Sequence, residues 1–274
     1  MNEKNTVDLA TENIFDIIEK NKKIISEIFS NEINFLDDKI NNLHKLICQI
    51  YYLKKNIQLT KEESIIISQS RLILSQFVDI RALIVQNSII TSYSIQRDIF
   101  ENLVEIFALV YGSKKQKEQL KDKYSQSRGI FQKKQSQKNN NVQSLYSEKT
   151  RKYLDNLYGR LCNYTHPNLE TRFFVLEQIN KETIEDLFDL VNVFINDFSL
   201  MLICCFFDKN RIEKEKDIVE HLSIKVHRTH NPVLLKYFET YEYGSALLNK
   251  CNTVKDEDVS KMKLLFDMNL IDKK

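Results

Sequence analysis

The chain has 274 residues, enough for one large domain or for a core with additional helices, and its net charge of +2 provides no general attraction for a polyanionic partner. It contains only four glycines and two prolines, the residues that β-rich folds need at their turns. The composition therefore predicts an all-α fold, in which any basic surface is local.

The glycine and cysteine positions exclude several kinds of site. The closest two glycines, Gly112 and Gly129, are seventeen residues apart, whereas phosphate-binding loops need glycines within a few residues of one another. The five cysteines are scattered and form no Cys-x-x-Cys pair, which favours reduced thiols. Paired ligands typical of structural zinc sites are also missing around His227 and His230. No cofactor and no metal are expected.

The first residues and the most apolar run indicate a cytoplasmic protein without a membrane partner. Residues 1–6 are polar and partly acidic, unlike a secretory signal. The most apolar run, residues 198–207, has ten residues, whereas a helix that spans a bilayer needs about 20.

Apolar residues at helical spacing predict four helices before the middle of the chain. Their expected spans are about 6–29, 31–56, 60–84 and 92–111. Asn31 is a candidate cap, Thr60 and Glu63 form a capping-box pattern, and Gly112 stands where a C-terminal cap belongs. The polar residues 87–94 either break the third helix or only loosen it.

The segment 113–138 is strongly basic, with nine Lys or Arg side chains, two acidic ones and a local net charge of +7. Tyr124 and Phe131 are interleaved with the cations, a composition that suits single-stranded RNA. The alternative is a solvated, charged helix. The candidate RNA-binding residues are Lys114, Lys115, Lys117, Lys121, Lys123, Arg128, Lys133 and Lys134. The polar run 135–141 that follows is expected to be a mobile loop.

The second half of the chain is predicted to be helical as well. One helix runs from about Tyr146 to the residue before Pro167, and residues 171–179 are expected to be extended. Asn180 caps a long helix over about 182–208 whose apolar positions surround it, so it is predicted to be the central buried helix. Three shorter helices are expected after it, over about 212–226, 232–250 and 256–270.

The most informative polar residues precede Pro167: Arg160, Asn163, Tyr164 and His166. Asn163 and Tyr164 share the helix face of Arg160, and His166 can turn back because Pro167 releases the backbone. A histidine transfers protons in both directions near neutral pH, and a guanidinium can hold a phosphate through two hydrogen bonds. The group suits metal-free cleavage of a phosphodiester. The alternative is a helix end capped by two cations.

This segment, Leu157 to Asn168, resembles the Arg-x(4–6)-His motif of the HEPN superfamily, with five residues between Arg160 and His166. Upstream, the segment 97–105 is similar to an arginine-plus-glutamate helix that precedes the motif in a bacterial HEPN-like branch. The resemblance covers about residues 60–208.

The HEPN resemblance implies a helical-bundle core that dimerises. In active members it implies a metal-independent endoribonuclease of toxin–antitoxin or antiphage systems. His166 would be the acid/base group, Arg160 the phosphate clamp and Asn163 a polar helper. The implied partners are RNA, a second copy of the chain, and an antitoxin or another operon-encoded protein. Because several members are not catalytic, the alternative is a helical module that binds RNA, a nucleotide or a partner protein.

Arg97, Glu101 and Glu105 recur every four residues and share one stripe of their helix. The stripe is either an intrahelical salt bridge or faces the Arg160 helix, where Glu101 would orient Arg160 or His166 and Arg97 would join the phosphate site. The sequence leaves both interpretations open.

The predicted organisation has three parts. N-terminal helices over 1–58 pack on an HEPN-like helical core over 59–208, which includes a basic and mobile segment at 113–145. A C-terminal helical appendage covers 209–274.

Overall fold

The computed structural model describes residues 13–125, 148–165 and 178–207, which are helical without any strand and confirm the all-α class. Its helices are α1 (Ile14–Ile28), α2 (Ser30–Lys54), α3 (Lys61–Val85), α4 (Ile89–Tyr111), α5 (Lys114–Ser125), α6 (Glu148–Thr165) and α7 (Lys181–Phe206). Within these ranges no helix combines the length and the apolar character that a bilayer-spanning segment requires.

The junction between α1 and α2 differs from the sequence prediction, whereas the start of α3 confirms it. Helices α1 and α2 meet at the buried Phe29, so Asn31 lies inside α2 and the prediction of a cap there was wrong. The burial of Phe29 fixes this junction. At the start of α3, Thr60 Oγ1 accepts from the Glu63 amide at 3.1 Å, and Glu63 Oε2 accepts from the Thr60 amide at 2.9 Å. The predicted capping box is therefore present.

The polar residues after α3 break the helix. Asn87 has a φ of 62°, in the left-handed region where Asn is one of the few non-glycine residues found. Its Nδ2 donates to the Gln178 carbonyl at 3.1 Å, which ties this junction to the residues before α7. Helix α4 then runs to Gly112, as predicted. That residue has extended backbone geometry, but a Cβ there would lie 2.3 Å from the Ala108 carbonyl oxygen. This position therefore requires glycine, because any larger residue would place a Cβ too close to that carbonyl oxygen.

Helix α7 lies at the centre of one continuous apolar core. It packs against α2, α3 and α4. Asn180 caps it as predicted, accepting from the Thr183 amide at 3.0 Å. Aromatic contacts join its Phe188 to Phe29 at 5.9 Å between ring centroids and its Phe194 to Phe100 at 6.0 Å. Its buried apolar residues are Ile184, Leu187, Phe188, Leu190, Val191, Val193, Phe194, Ile195, Phe198, Leu202 and Ile203.

The basic segment begins as a helix, α5, within the span 113–145 that the sequence predicts to be mobile. Helix α5 packs against α3 and α4 and buries Leu120. The Ser113 amide donates to Gln116 Oε1 at 2.8 Å at its start. The polar run 135–141, the predicted extended residues 171–177 and the three predicted C-terminal helices lie outside the described residues.

Candidate functional site

Arg160 is held between α6 and α7. Its Nη2 donates to Asp186 Oδ2 at 3.3 Å, and its guanidinium carbon lies 5.6 Å from the centroid of the Tyr164 ring, one turn further along α6. The Arg160 side chain is 29% exposed, whereas the side chain of Asp186 is 8% exposed. The guanidinium is therefore oriented by a buried carboxylate and a ring, and it also reaches solvent.

Tyr93 of α4 completes this group. Its ring stacks on Tyr164 with 4.0 Å between centroids and an interplanar angle of 9°. Burial raises the pKa of the Tyr93 hydroxyl above its ordinary value, with Tyr164 adding to the rise and Arg160 opposing it. Tyr93 is thus a neutral hydroxyl at physiological pH. We refer to Tyr93, Arg160, Tyr164 and Asp186 as the Arg160 cluster.

Of the other two predicted members of the catalytic group, the structure describes one. Asn163 lies on α6 and is exposed. His166 directly follows Thr165, the last residue of α6, and lies outside the described residues. The described part of the chain therefore brings Arg160 and Tyr164 together and leaves the position of His166 as a prediction.

Arg97 and Glu101 form a second polar group on α4, with a partner on α6. Arg97 Nε donates to Glu101 Oε1 at 3.2 Å, and Tyr158 Oη donates to the same oxygen at 3.0 Å. The Arg97 guanidinium carbon lies 5.7 Å from the Tyr158 ring centroid. Burial and the hydrogen bond to Glu101 raise the pKa of Tyr158 to about 12. The stripe therefore combines an intrahelical ion pair with a contact to α6. Arg97, Glu101 and Tyr158 are the Arg97 cluster.

The Arg97 and Arg160 clusters use opposite flanks of α6. Tyr158 and Arg160 are two residues apart, which is about 200° around a helix. The carboxylate that orients Arg160 is Asp186 of α7, and Glu101 instead accepts from Tyr158. Sequence reasoning missed Asp186 and Tyr93 because they belong to two other helices and carry no motif.

The remaining residue of the stripe, Glu105, joins α4 to α5. Its Oε2 accepts a hydrogen bond from Tyr124 Oη at 2.6 Å. Tyr124, which the sequence offered as a base-stacking residue, is thus used within the fold.

The cations of the basic segment have different roles. Lys114 and Lys115 are exposed on α5, which also carries Lys123. Lys117 Nζ donates to the Val110 carbonyl at 2.7 Å. Lys121 Nζ lies 2.5 Å from Glu62 Oε1 and 2.9 Å from Glu118 Oε1, and its hydrogen bond lowers the pKa of Glu62. Lys117 and Lys121 therefore fasten α5 to its neighbours. The last three candidates lie outside the described residues: Arg128, Lys133 and Lys134.

Among the described residues, no group of three or more His, Cys, Asp or Glu side chains is arranged to hold a metal ion. No family model matches the chain, and no curated protein or solved structure is significantly similar to it. The function is therefore inferred from the chemistry of the chain's own residues.

Proposed function

We propose that the protein is a metal-independent endoribonuclease of the HEPN type, in which Arg160 binds the scissile phosphate and His166 transfers the proton. One observation carries the proposal: a partly exposed arginine is oriented by a buried carboxylate and an aromatic ring, six residues before a histidine. This combination suits a phosphate clamp beside a general acid/base.

The Arg160 guanidinium has unused capacity for an anion. It carries five N–H donors, and among the described residues its one hydrogen bond of normal geometry goes to Asp186 at 3.3 Å, with the Tyr93 hydroxyl close by. A phosphate accepts two parallel hydrogen bonds from a guanidinium, in a geometry that a lysine cannot supply. Asp186 and Tyr164 restrict the guanidinium before the ligand arrives, which reduces the entropy lost on binding.

The proposed reaction uses the RNA's own 2′-hydroxyl as the nucleophile, so it needs no metal-bound water. The 2′-oxygen bonds to phosphorus, the bond from phosphorus to the 5′-oxygen breaks, and the products are a 2′,3′-cyclic phosphate and a 5′-hydroxyl. One proton leaves the 2′-oxygen and one reaches the leaving 5′-oxygen: His166 takes the first or gives the second, and water accepts or supplies the other. Arg160 stabilises the negative charge that builds up on the phosphorane.

The setting of the enzyme is part of the same proposal. The exposed Lys114 and Lys115 of α5 supply phosphate contacts outside the cleavage site. Two copies of the chain bring two sites together in a cytoplasmic homodimer. Its activity serves a toxin–antitoxin or antiphage system and is restrained by an antitoxin or another operon-encoded protein.

The test is incubation of the purified protein with total RNA and transfer RNA in EDTA, followed by analysis of the product ends. We expect cyclic phosphate ends from the wild type. Because general acid/base catalysis contributes about 10²- to 10⁴-fold, His166→Ala should lose at least about a hundredfold in rate and still bind RNA. Arg160→Ala should lose both cleavage and part of the binding.

Matched controls come from exposed residues elsewhere: His44→Ala on α2 and Arg71→Ala on α3 should cleave as the wild type does. No cleavage by the wild type, with RNA or a co-purifying protein still bound, would refute the ribonuclease and support the non-catalytic binding module. Cleavage that persists in His166→Ala would refute its role as the acid/base group.

A further inference from the structure

Two buried hydrogen-bond donors of the Arg160 cluster have no partner among the described residues: Tyr93 Oη and Arg160 Nε. Tyr93 is only 2% exposed, so bulk water does not satisfy its hydroxyl. Native proteins pair about 90% or more of such groups, because each unsatisfied one is costly. An acceptor from outside the described residues would therefore satisfy two donors of one cluster.

Both donors belong to residues that contact the Tyr164 ring. The Tyr93 ring stacks on the ring over which the Arg160 guanidinium is placed. Arg160 also lowers the pKa of the Tyr93 hydroxyl, through its charge and through a side-chain contact with that oxygen that does not reach the geometry of a normal hydrogen bond. An arginine only donates, and the neutral Tyr93 O–H needs an acceptor. The partner that satisfies both donors is an acceptor oxygen, and an anionic one fits best beside a guanidinium.

We propose that Tyr93 and Arg160 together bind one non-bridging oxygen of the RNA phosphate, Tyr93 through its hydroxyl and Arg160 through Nε. This inference rests on the proposed function and extends it to a residue of α4 that no sequence motif singles out. The solvent-exposed part of Arg160 is where the phosphate enters. Asp186, which accepts from Nη2, restricts the orientation of the guanidinium that carries Nε.

The variant Tyr93→Phe tests the proposal, because it should bind phosphate more weakly without becoming less stable. The variant keeps the ring that stacks on Tyr164 and removes only the unsatisfied hydroxyl. The free protein should therefore have a Tm equal to or above that of the wild type. Phosphate and RNA should bind about ten- to a hundredfold more weakly, the loss typical of a hydrogen bond to a charged group.

Two measurements test this with the full chain. The first is Tm with and without inorganic phosphate at constant ionic strength. A ligand that binds the native state raises Tm, and this rise should be present in the wild type and reduced in Tyr93→Phe. The second is fluorescence anisotropy of a 2′-O-methyl oligoribonucleotide, which cannot be cleaved because its 2′-oxygen is blocked. Tyr52→Phe, at a tyrosine that is 78% exposed, is the control and should match the wild type in both measurements.

Three results would overturn the proposal: no rise in the wild-type Tm with phosphate, unchanged binding in Tyr93→Phe, or a Tm of phosphate-free Tyr93→Phe below the wild type. The last result would show that the hydroxyl is already satisfied in the free protein. Failure of the proposed ribonuclease activity can be distinguished from failure of this inference, because the binding of phosphate and RNA is measured without cleavage. If the protein binds phosphate in a Tyr93-dependent way but does not cleave RNA, the phosphate site is supported and the proposed ribonuclease activity is refuted.

Discussion

Replacing Asp186 by Asn removes one negative charge from the Arg160 cluster with little change in the shape of the side chain. The Nη2–Oδ2 separation of 3.3 Å corresponds to an attraction of about 5 kcal/mol at an effective dielectric constant of about 20. Desolvation of the buried Asp186 offsets most of this attraction, and water screens the exposed end of Arg160. We therefore expect a net coupling between the two side chains of about 1–3 kcal/mol.

A double-mutant cycle isolates that coupling. It compares the free energies of unfolding of the wild type, Asp186→Asn, Arg160→Met and the double variant by urea denaturation. The methionine keeps most of the arginine stem against the Tyr164 ring. The control cycle pairs Arg160→Met with Asp79→Asn, an exposed carboxylate of α3, and should be additive. A coupling energy below about 0.5 kcal/mol in the Asp186 cycle would refute the view that Asp186 orients Arg160.

Further predictions concern the helix ends and the Arg97 cluster. Thr60→Ala removes the cap of α3 and should lower the free energy of unfolding in urea by about 1 kcal/mol, and no loss would mean that the cap is dispensable. Gly112→Ala places a Cβ 2.3 Å from the Ala108 carbonyl oxygen and should cost about 1–3 kcal/mol in the same assay, so a neutral result would contradict the lack of space. The pKa of Tyr158 is raised from 10.0 to about 12, so its stabilising contribution is complete below pH 10 and is lost as the pH rises through 12. The stability difference between the wild type and Tyr158→Phe should therefore shrink over that range, and a constant difference would contradict the shift.

The sequence predicted the parts of the fold that depend on local signals. Thr60 and Asn180 cap the helices that they were expected to cap, because side-chain and backbone partners lie three residues apart. The burial of α7 followed from apolar residues on all of its sides. The prediction at Asn31 was wrong because the helix boundary is fixed by the burial of Phe29, which is a tertiary contact.

The basic segment shows a second limit of reasoning from the sequence. The charge of the segment did not indicate that Leu120 is buried or that Lys121 forms an ion pair with Glu62, the contacts by which α5 docks on the bundle. Docking depends on residues of α3 that are distant in sequence. A count of local charges therefore could not show which lysines form contacts within the fold and which remain exposed.

The candidate site was predictable only along one helix. The sequence identified Arg160 and Tyr164 because their spacing on α6 is local. Asp186 and Tyr93 reach them from α7 and α4, and the packing of these helices sets those contacts. The role of His166 and the helical appendage over 209–274 remain predictions, as does the HEPN resemblance itself.

The contacts on the two flanks of α6 together fix the rotation of this helix about its own axis. Tyr158 is fastened to α4 on one flank, and Arg160 is fastened to α7 on the other. A turn of the helix in either direction would stretch one attachment and compress the other. The direction in which Arg160 points is therefore set partly by a tyrosine on the far side of the helix, and a substitution at Glu101 or Tyr158 would change the orientation of Arg160 without replacing any residue that contacts it.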